Sequence, residues 1–205
     1  MREKIIDKAG NMFLKYGFKS VTMDDIASEM GISKKTIYKY FDNKDHLVDE
    51  TVSYVHETID EVIENITSQN LNAIEENFAI KNVFKNMFKN AKSSPMFQLK
   101  KYYPETFAKL MDNQVCTFSD CLTKNLEKGV QEKLYRENID KDLIMKFYFI
   151  LVFGVHESPF FQDLSLPELI KTEIKILEYH TRAIATLYGH SVLEQELNKY
   201  QLNQS

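Results

Sequence analysis

Residues 30–44 read MGISKKTIYKYFDNK, and their side chains are of the kinds that bind an anion. Lys34, Lys35 and Lys39 supply ammonium groups, Tyr38 and Tyr40 supply phenolic hydroxyls and flat rings, and Ser33 and Thr36 supply small hydroxyls. Ile37 and Phe41 stand four apart and form a small buried side with Ile26, Ala27, Met30, Ile32 and Leu47. The remaining positions point outward. Two lysines in the first turn of a short helix oppose its macrodipole, which favours anions at that end. A phosphate backbone removes the conflict; tyrosine hydroxyls donate to phosphate oxygens, and ring faces lie against sugar or a thymine methyl. The competing reading is a solvated lysine face, which a pair of lysines alone would favour.

The elements that must position these residues are legible from their ends. The first helix is written in Ile5, Ile6, Ala9, Met12, Phe13 and Tyr16, with Gly17 as a left-handed stop and Phe18 folding back on the last turn. Thr22 caps a short second helix, with Asp25 three positions on as an acidic capping box, and Gly31 ends it. Ser33 caps a third helix from about Lys34 to Tyr40, and Asn43 caps a long fourth. Two short helices joined by a tight glycine turn make a helix-turn-helix. Downstream, a fifth helix carries Ile74, Phe78, Phe84, Met87 and Phe88. Ser94–Pro95 opens a sixth and Pro104 a seventh, which Gly129 ends. Asp140 caps an eighth helix, Ser165 and Pro167 open a ninth running to about Tyr188 and ended by Gly189, and Ser191 to Leu202 is a weak amphipathic tail. No strand pattern of useful length occurs, so the predicted fold class is all-α.

From Ile5 to about residue 50 the chain resembles the TetR family of transcriptional regulators. The resemblance rests on MFLKYGF and on VTMDDIASEMGISKKTIYKYFDNKDHLV, which matches T-x-x-x-I-A-x-x-x-G-x-S-x-x-T-[IL]-Y-x-[YH]-F-x-x-K-x-x-L. It implies an N-terminal DNA-binding domain over residues 1–46 and a helical effector-binding and dimerisation domain over 47–205. It further implies that Lys34, Lys35 and Thr36 approach the major groove and that Tyr38 contacts base or backbone. Tyr40, a frequent histidine in relatives, and Lys39 would hold phosphates. Thr22 and Lys44 would clamp phosphates at the groove edges through helix N-termini, with Ser33 alongside. Lys35, where relatives often have glycine or a small residue, either reads a guanine or strengthens non-specific attraction.

The rest of the chain fits the same expectation. Residues 1–48 carry nine Lys/Arg against seven Asp/Glu, and the remaining residues 17 against 23, so an anionic partner belongs at the N-terminal end. Leu143 to Val155 is apolar nearly all round, and Leu166, Ile170, Ile174, Leu177, Ile184 and Tyr188 form a long stripe. Both helices could be plain core; with the resemblance, residues 140–156 and 166–188 are expected to join two copies. An effector pocket is expected from the soft and aromatic residues of helices four to seven, among them Phe88, Tyr102, Tyr103, Phe107 and Met111, with Phe147. A small, largely apolar molecule there would swing helix four and spread the reading heads. Core packing without any effector is the alternative, as in an activator or architectural protein.

An enzyme is the rival of another class. No glycine-rich phosphate loop, metal cluster or nucleophile–base pair stands out, so neither catalytic residues nor a metal or cofactor are expected. Cys116 and Cys121 match no redox or metal spacing and read as buried free thiols. The charged N-terminus and the short apolar run point to a cytoplasmic protein with no membrane partner.

Overall fold

The computed structural model describes residues 1–88, 91, 94–156, 158–161 and 163–202. The chain is all-α: α1 (Arg2–Tyr16), α2 (Met23–Met30), α3 (Lys34–Tyr38), α4 (Lys44–Thr67), α5 (Ala73–Phe88), α6 (Pro95–Tyr102), α7 (Pro104–Gln131), α8 (Lys141–Gly154), α9 (Leu166–Ile184) and α10 (Leu187–Leu202). A turn of 3-10 helix, Pro159–Phe161, lies between α8 and α9. The contacts divide the chain into two compact units, Met1–Glu61 with Phe88–Gln114, and Val62–Met87 with Val115–Ser205.

In the first unit local chemistry sets each turn. The Thr22–Asp25 capping box forms, the Asp25 N–H donating to Thr22 Oγ1 at 3.1 Å and the Thr22 N–H to Asp25 Oδ2 at 2.8 Å. Gly31 takes the left-handed conformation (φ 64°, ψ 29°), and the Ile32 N–H reaches back to the Ala27 carbonyl at 3.0 Å. Gly17 also has a positive φ, 92°, but its ψ of 144° lies outside the left-handed helical well expected for it. Phe18 still folds back, stacking on Phe13 with centroids 5.2 Å apart. Helix α3 is shorter than its periodicity predicts. The N–H groups of Tyr40 and Phe41 both turn to the Ile37 carbonyl, which closes the helix early and drives Phe41 into the core.

That core holds Ile5, Phe13, Ile26, Ile37, Phe41 and Leu47, as the spacing requires. It also takes in Leu99 of α6, with Tyr103, Phe107 and Leu110 packed against it. The core of the first unit therefore includes helices remote in sequence from the helix-turn-helix.

In the second unit two glycines behave differently from expectation. Helix α7 runs through Gly129 to Gln131, and Lys133 (φ 60°) takes the left-handed turn. Gly129 instead makes room for the buried Tyr135 ring, which a Cβ there would meet at 2.0 Å. Helix α9 stops at Ile184 and not near Tyr188, because Ala185 turns extended and pairs with Tyr135 in an isolated antiparallel bridge. The Arg136 N–H donates to the Ile184 carbonyl and the Thr186 N–H to the Leu134 carbonyl, each at 2.9 Å. Helix α10 then begins at Leu187, with the Gly189 N–H donating to Thr186 Oγ1 at 3.0 Å, and buries Val192, Leu193, Leu197 and Tyr200. Gly189 sits inside it because a Cβ would lie 2.1 Å from the Leu134 carbonyl oxygen, a backbone atom with no freedom to yield. Gly189→Ala is therefore expected to destabilise the fold by ~1–3 kcal/mol, despite alanine's better helix propensity. Urea unfolding of the variant checks this, and an unchanged midpoint would contradict the close approach.

Candidate nucleic-acid interface

Ile37 and Phe41 are fully buried, which orients α3 and leaves its Lys34, Lys35 and Tyr38 exposed, together with Lys39 and Tyr40 just past its end. Thr36 is half-buried at the edge of this face; its N–H donates to Ser33 Oγ at 3.1 Å and the two hydroxyls share a 2.8 Å hydrogen bond. Ser33 thereby fixes the helix start.

The charges on this face differ in kind. Lys34 Nζ donates to Asp24 of α2 at 2.9 Å, and this hydrogen bond raises its pKa. Asp24 thus relieves part of the macrodipole conflict that two leading lysines create. The sequence offered no signal for this pairing, since ten residues and a turn separate the partners. Among the described residues Lys35 and Lys39 have no carboxylate partner, so they carry the uncompensated charge of the helix.

The flanking positions come from neighbouring helix starts. Thr22 Oγ1 donates to Asp25 Oδ2 at 2.7 Å and accepts from the Asp25 N–H, so its proton is already used. This hydrogen bond holds the Asp25 carboxyl below its usual range. An anion at this end of α2 would instead meet the backbone N–H groups that the first turn leaves unpaired. Lys44, at the first position of α4, is half-buried and donates to the Lys19 carbonyl at 3.3 Å, with its ammonium 5.9 Å from the Tyr103 ring centroid. Burial lowers its pKa, opposed by the charges of Asp45 and Asp25. The side chain is held in place while its charge stays near the surface.

Thr22 at the cap of α2, Ser33 in the turn, Lys34, Lys35, Thr36 and Tyr38 on α3, Lys39 and Tyr40 just past its end and Lys44 at the start of α4 therefore all lie within one compact unit. A short, cationic, hydroxyl-bearing rod braced from behind by two helices has the shape and chemistry that enter a major groove. The fold and site define a helix-turn-helix DNA-binding protein.

Comparison with known proteins agrees. Residues 5–51 match the family model of bacterial regulatory proteins, tetR family. The chain is 26% identical over 155 residues to the biofilm operon icaADBC HTH-type negative transcriptional regulator IcaR of Staphylococcus aureus (strain Newman), covering 72% of this chain and 80% of that protein. A transcriptional regulator from Cytophaga hutchinsonii shares the fold with a TM-score of 0.74 at 20% identity, over 90% of this chain and 98% of that one. Reduced NemR of E. coli does so with a TM-score of 0.71 at 15% identity, over 90% and 97%. The chain carries the DNA-binding segment of the tetR family over residues 5–51 and is a DNA-binding transcriptional regulator of that type.

The residues expected to touch an effector are spread over both units. Tyr103 and Phe107 pack against the core of the reading head, with the Tyr103 ring 6.2 Å from that of Phe18. Phe88 and Met111 are half-buried, Tyr102 is exposed on α6, and Phe147 is exposed on α8. Cys116 is exposed and Cys121 half-buried, so the cysteines are not the buried pair their sequence context suggests. Among the described residues no helix is long and apolar enough to cross a membrane.

Proposed function

We propose that the chain acts as a homodimeric repressor that binds a palindromic operator with one reading head per protomer and is released by a small, largely apolar effector. The observation that carries this reading is the outward set of lysines and tyrosines on a helix whose opposite side is locked in the core. One short helix makes few base contacts, and two-fold repetition supplies the missing specificity. Repression is the sign supported by the staphylococcal relative, which is a negative transcriptional regulator. An effector that displaced Tyr103 or Phe107 would act on the packing behind the reading head itself. It could weaken operator binding only by as much as it prefers the altered state.

The direct test is to recover the DNA that the purified protein selects from a random pool. The expected outcome is a palindromic consensus whose half-sites lie about 34–36 Å, or a multiple, apart. No enrichment, or an asymmetric consensus, would overturn the reading. Lys44→Ala is expected to weaken binding to every sequence alike and to flatten the salt slope by about one. A changed base preference with the slope retained would remove Lys44 from the phosphate contacts.

A further inference from the structure

Helix α6 brings charge to the reading head from outside the helix-turn-helix. Gln98 Oε1 accepts the Phe18 N–H at 2.8 Å, and Leu99 is buried in the same core as Ile37 and Phe41. A side chain at Gly17 would meet Gln98, its Cβ lying 2.9 Å from the amide oxygen. These contacts fasten α6 to the turn between α1 and α2, beside the Thr22 cap.

On the outer side of that attachment two lysines converge on one ring. Lys19 Nζ lies 5.2 Å from the Tyr102 centroid and Lys101 Nζ 5.4 Å from the same centroid. Lys101 also lies 5.6 Å from the Phe97 ring, and Lys44 is bonded to the Lys19 carbonyl. Lys19, Phe97, Lys101 and Tyr102 are all exposed. Among the described residues neither Lys19 nor Lys101 has a carboxylate within ion-pair distance.

The face of the ring attracts each ammonium. It also gathers two like charges in one place, and an extended polyanion would relieve that repulsion. Duplex DNA carries a negative charge for every ≈1.7 Å of its axis, so even a short stretch presents several phosphates to such a patch. The patch continues directly from Lys44, which favours DNA over any other anionic partner.

We infer that Lys19, Lys101 and Tyr102 form a second phosphate-gripping surface, which holds the duplex flanking each half-site on the Lys44 side. This rests on the DNA-binding reading above. Lys19 and Lys101 supply charge, and Tyr102 spaces them and offers a hydroxyl to a phosphate oxygen. The surface adds affinity and salt dependence without reading sequence.

The test compares the selected operator trimmed to its two half-sites with the same operator carrying a turn of arbitrary duplex on either side. Binding is measured across a salt series for the full chain and for Lys19→Gln, Lys101→Gln and the double variant. The unaltered protein is expected to bind the flanked duplex more tightly than the trimmed one. The double variant should lose tenfold or more on the flanked duplex, with a salt slope shallower by about one for each phosphate contact removed. It should match the unaltered protein on the trimmed duplex and keep the same consensus, and Lys101→Arg, which keeps the charge, should bind the flanked duplex as the unaltered protein does. An unchanged thermal melt verifies that these surface substitutions leave the fold intact. If the double variant binds the flanked duplex with unaltered affinity and slope while Lys44→Ala still weakens binding, this inference alone is overturned. If the unaltered protein binds no duplex at all, the DNA-binding reading fails and takes this one with it.

Discussion

Phe147→Asp is expected to convert the protein from twice to once its chain mass of 24.1 kDa and to weaken operator binding at least a hundredfold. Along α8, Leu143, Phe147 and Ile150 occupy one stripe at four- and three-residue spacing, 43%, 51% and 64% exposed in the single chain. Tyr148, next to Phe147, is buried against the stacked ring of His180, so the other side of α8 is anchored in the core. Fully burying a large apolar side chain gains ~1.5–3 kcal/mol, and a two-fold interface counts every contact twice. A carboxylate at Phe147 would sit desolvated and unpaired in both copies at once. Because the side chain projects from the fold, the monomer should still melt cooperatively, which separates loss of pairing from loss of structure. Two linked reading heads bind with an effective concentration that a single head lacks, which is the source of the affinity loss. Sedimentation equilibrium and operator titration check both parts, and a variant that keeps the doubled mass would exclude α8 from the interface.

Glu173→Gln is expected to cost about 3–5 kcal/mol of stability. Lys81 of α5 and Glu173 of α9 pair at 3.2 Å, with side chains only 11% and 17% exposed, and His156 Nε2 meets the same carboxylate at 3.1 Å. Burial alone would raise the Glu173 pKa; the neighbouring charges of Lys81 and His156 and their hydrogen bonds outweigh it and bring the group to about 2. Burial likewise lowers the pKa of Lys81, but the net shift is upward, through the charges of Tyr148 and Glu173. Removing the carboxylate strands an ammonium in the interior, whereas replacing both partners by apolar residues, as in Lys81→Met with Glu173→Leu, is expected to leave stability near its original value. The pH dependence follows from the sign of the shift. The folded value lies below the ordinary 4.5, so the contribution is complete above pH 4.5 and is lost as pH falls towards 2. Denaturation midpoints of the unaltered protein should therefore fall more steeply through this window than those of Glu173→Gln. Equal midpoints at neutral pH would show that the pair contributes nothing.

The helix-turn-helix was legible because its determinants are local. Thr22 with Asp25, Gly31, Ser33 and Asn43 each act within three or four residues, and Ile37 with Phe41 declare the buried side of α3 by spacing alone. The second unit was less legible for the opposite reason. Gly129 and Gly189 look like helix stops in sequence, yet each is small because something distant in the chain packs on it, the ring of Tyr135 in one case and the backbone of Leu134 in the other. The break after Ile184 depends on a bridge to Tyr135, fifty residues earlier. The all-round apolar pattern of α8 could not say which side is core, since periodicity carries no information when every position is apolar.

What the sequence determined by itself is the kind of protein this is: caps, turns and apolar spacing specify a reading head whose lysines and tyrosines have no packing role. Tertiary structure alone decided that α6 belongs to that head, through Gln98 reaching Phe18 across eighty residues. It also decided that Asp24 quiets Lys34 and that α8 leaves one apolar side uncovered in the single chain. Capping and periodicity are short-range effects written in neighbouring residues, whereas pairing between remote segments depends on which surfaces meet once the chain has folded.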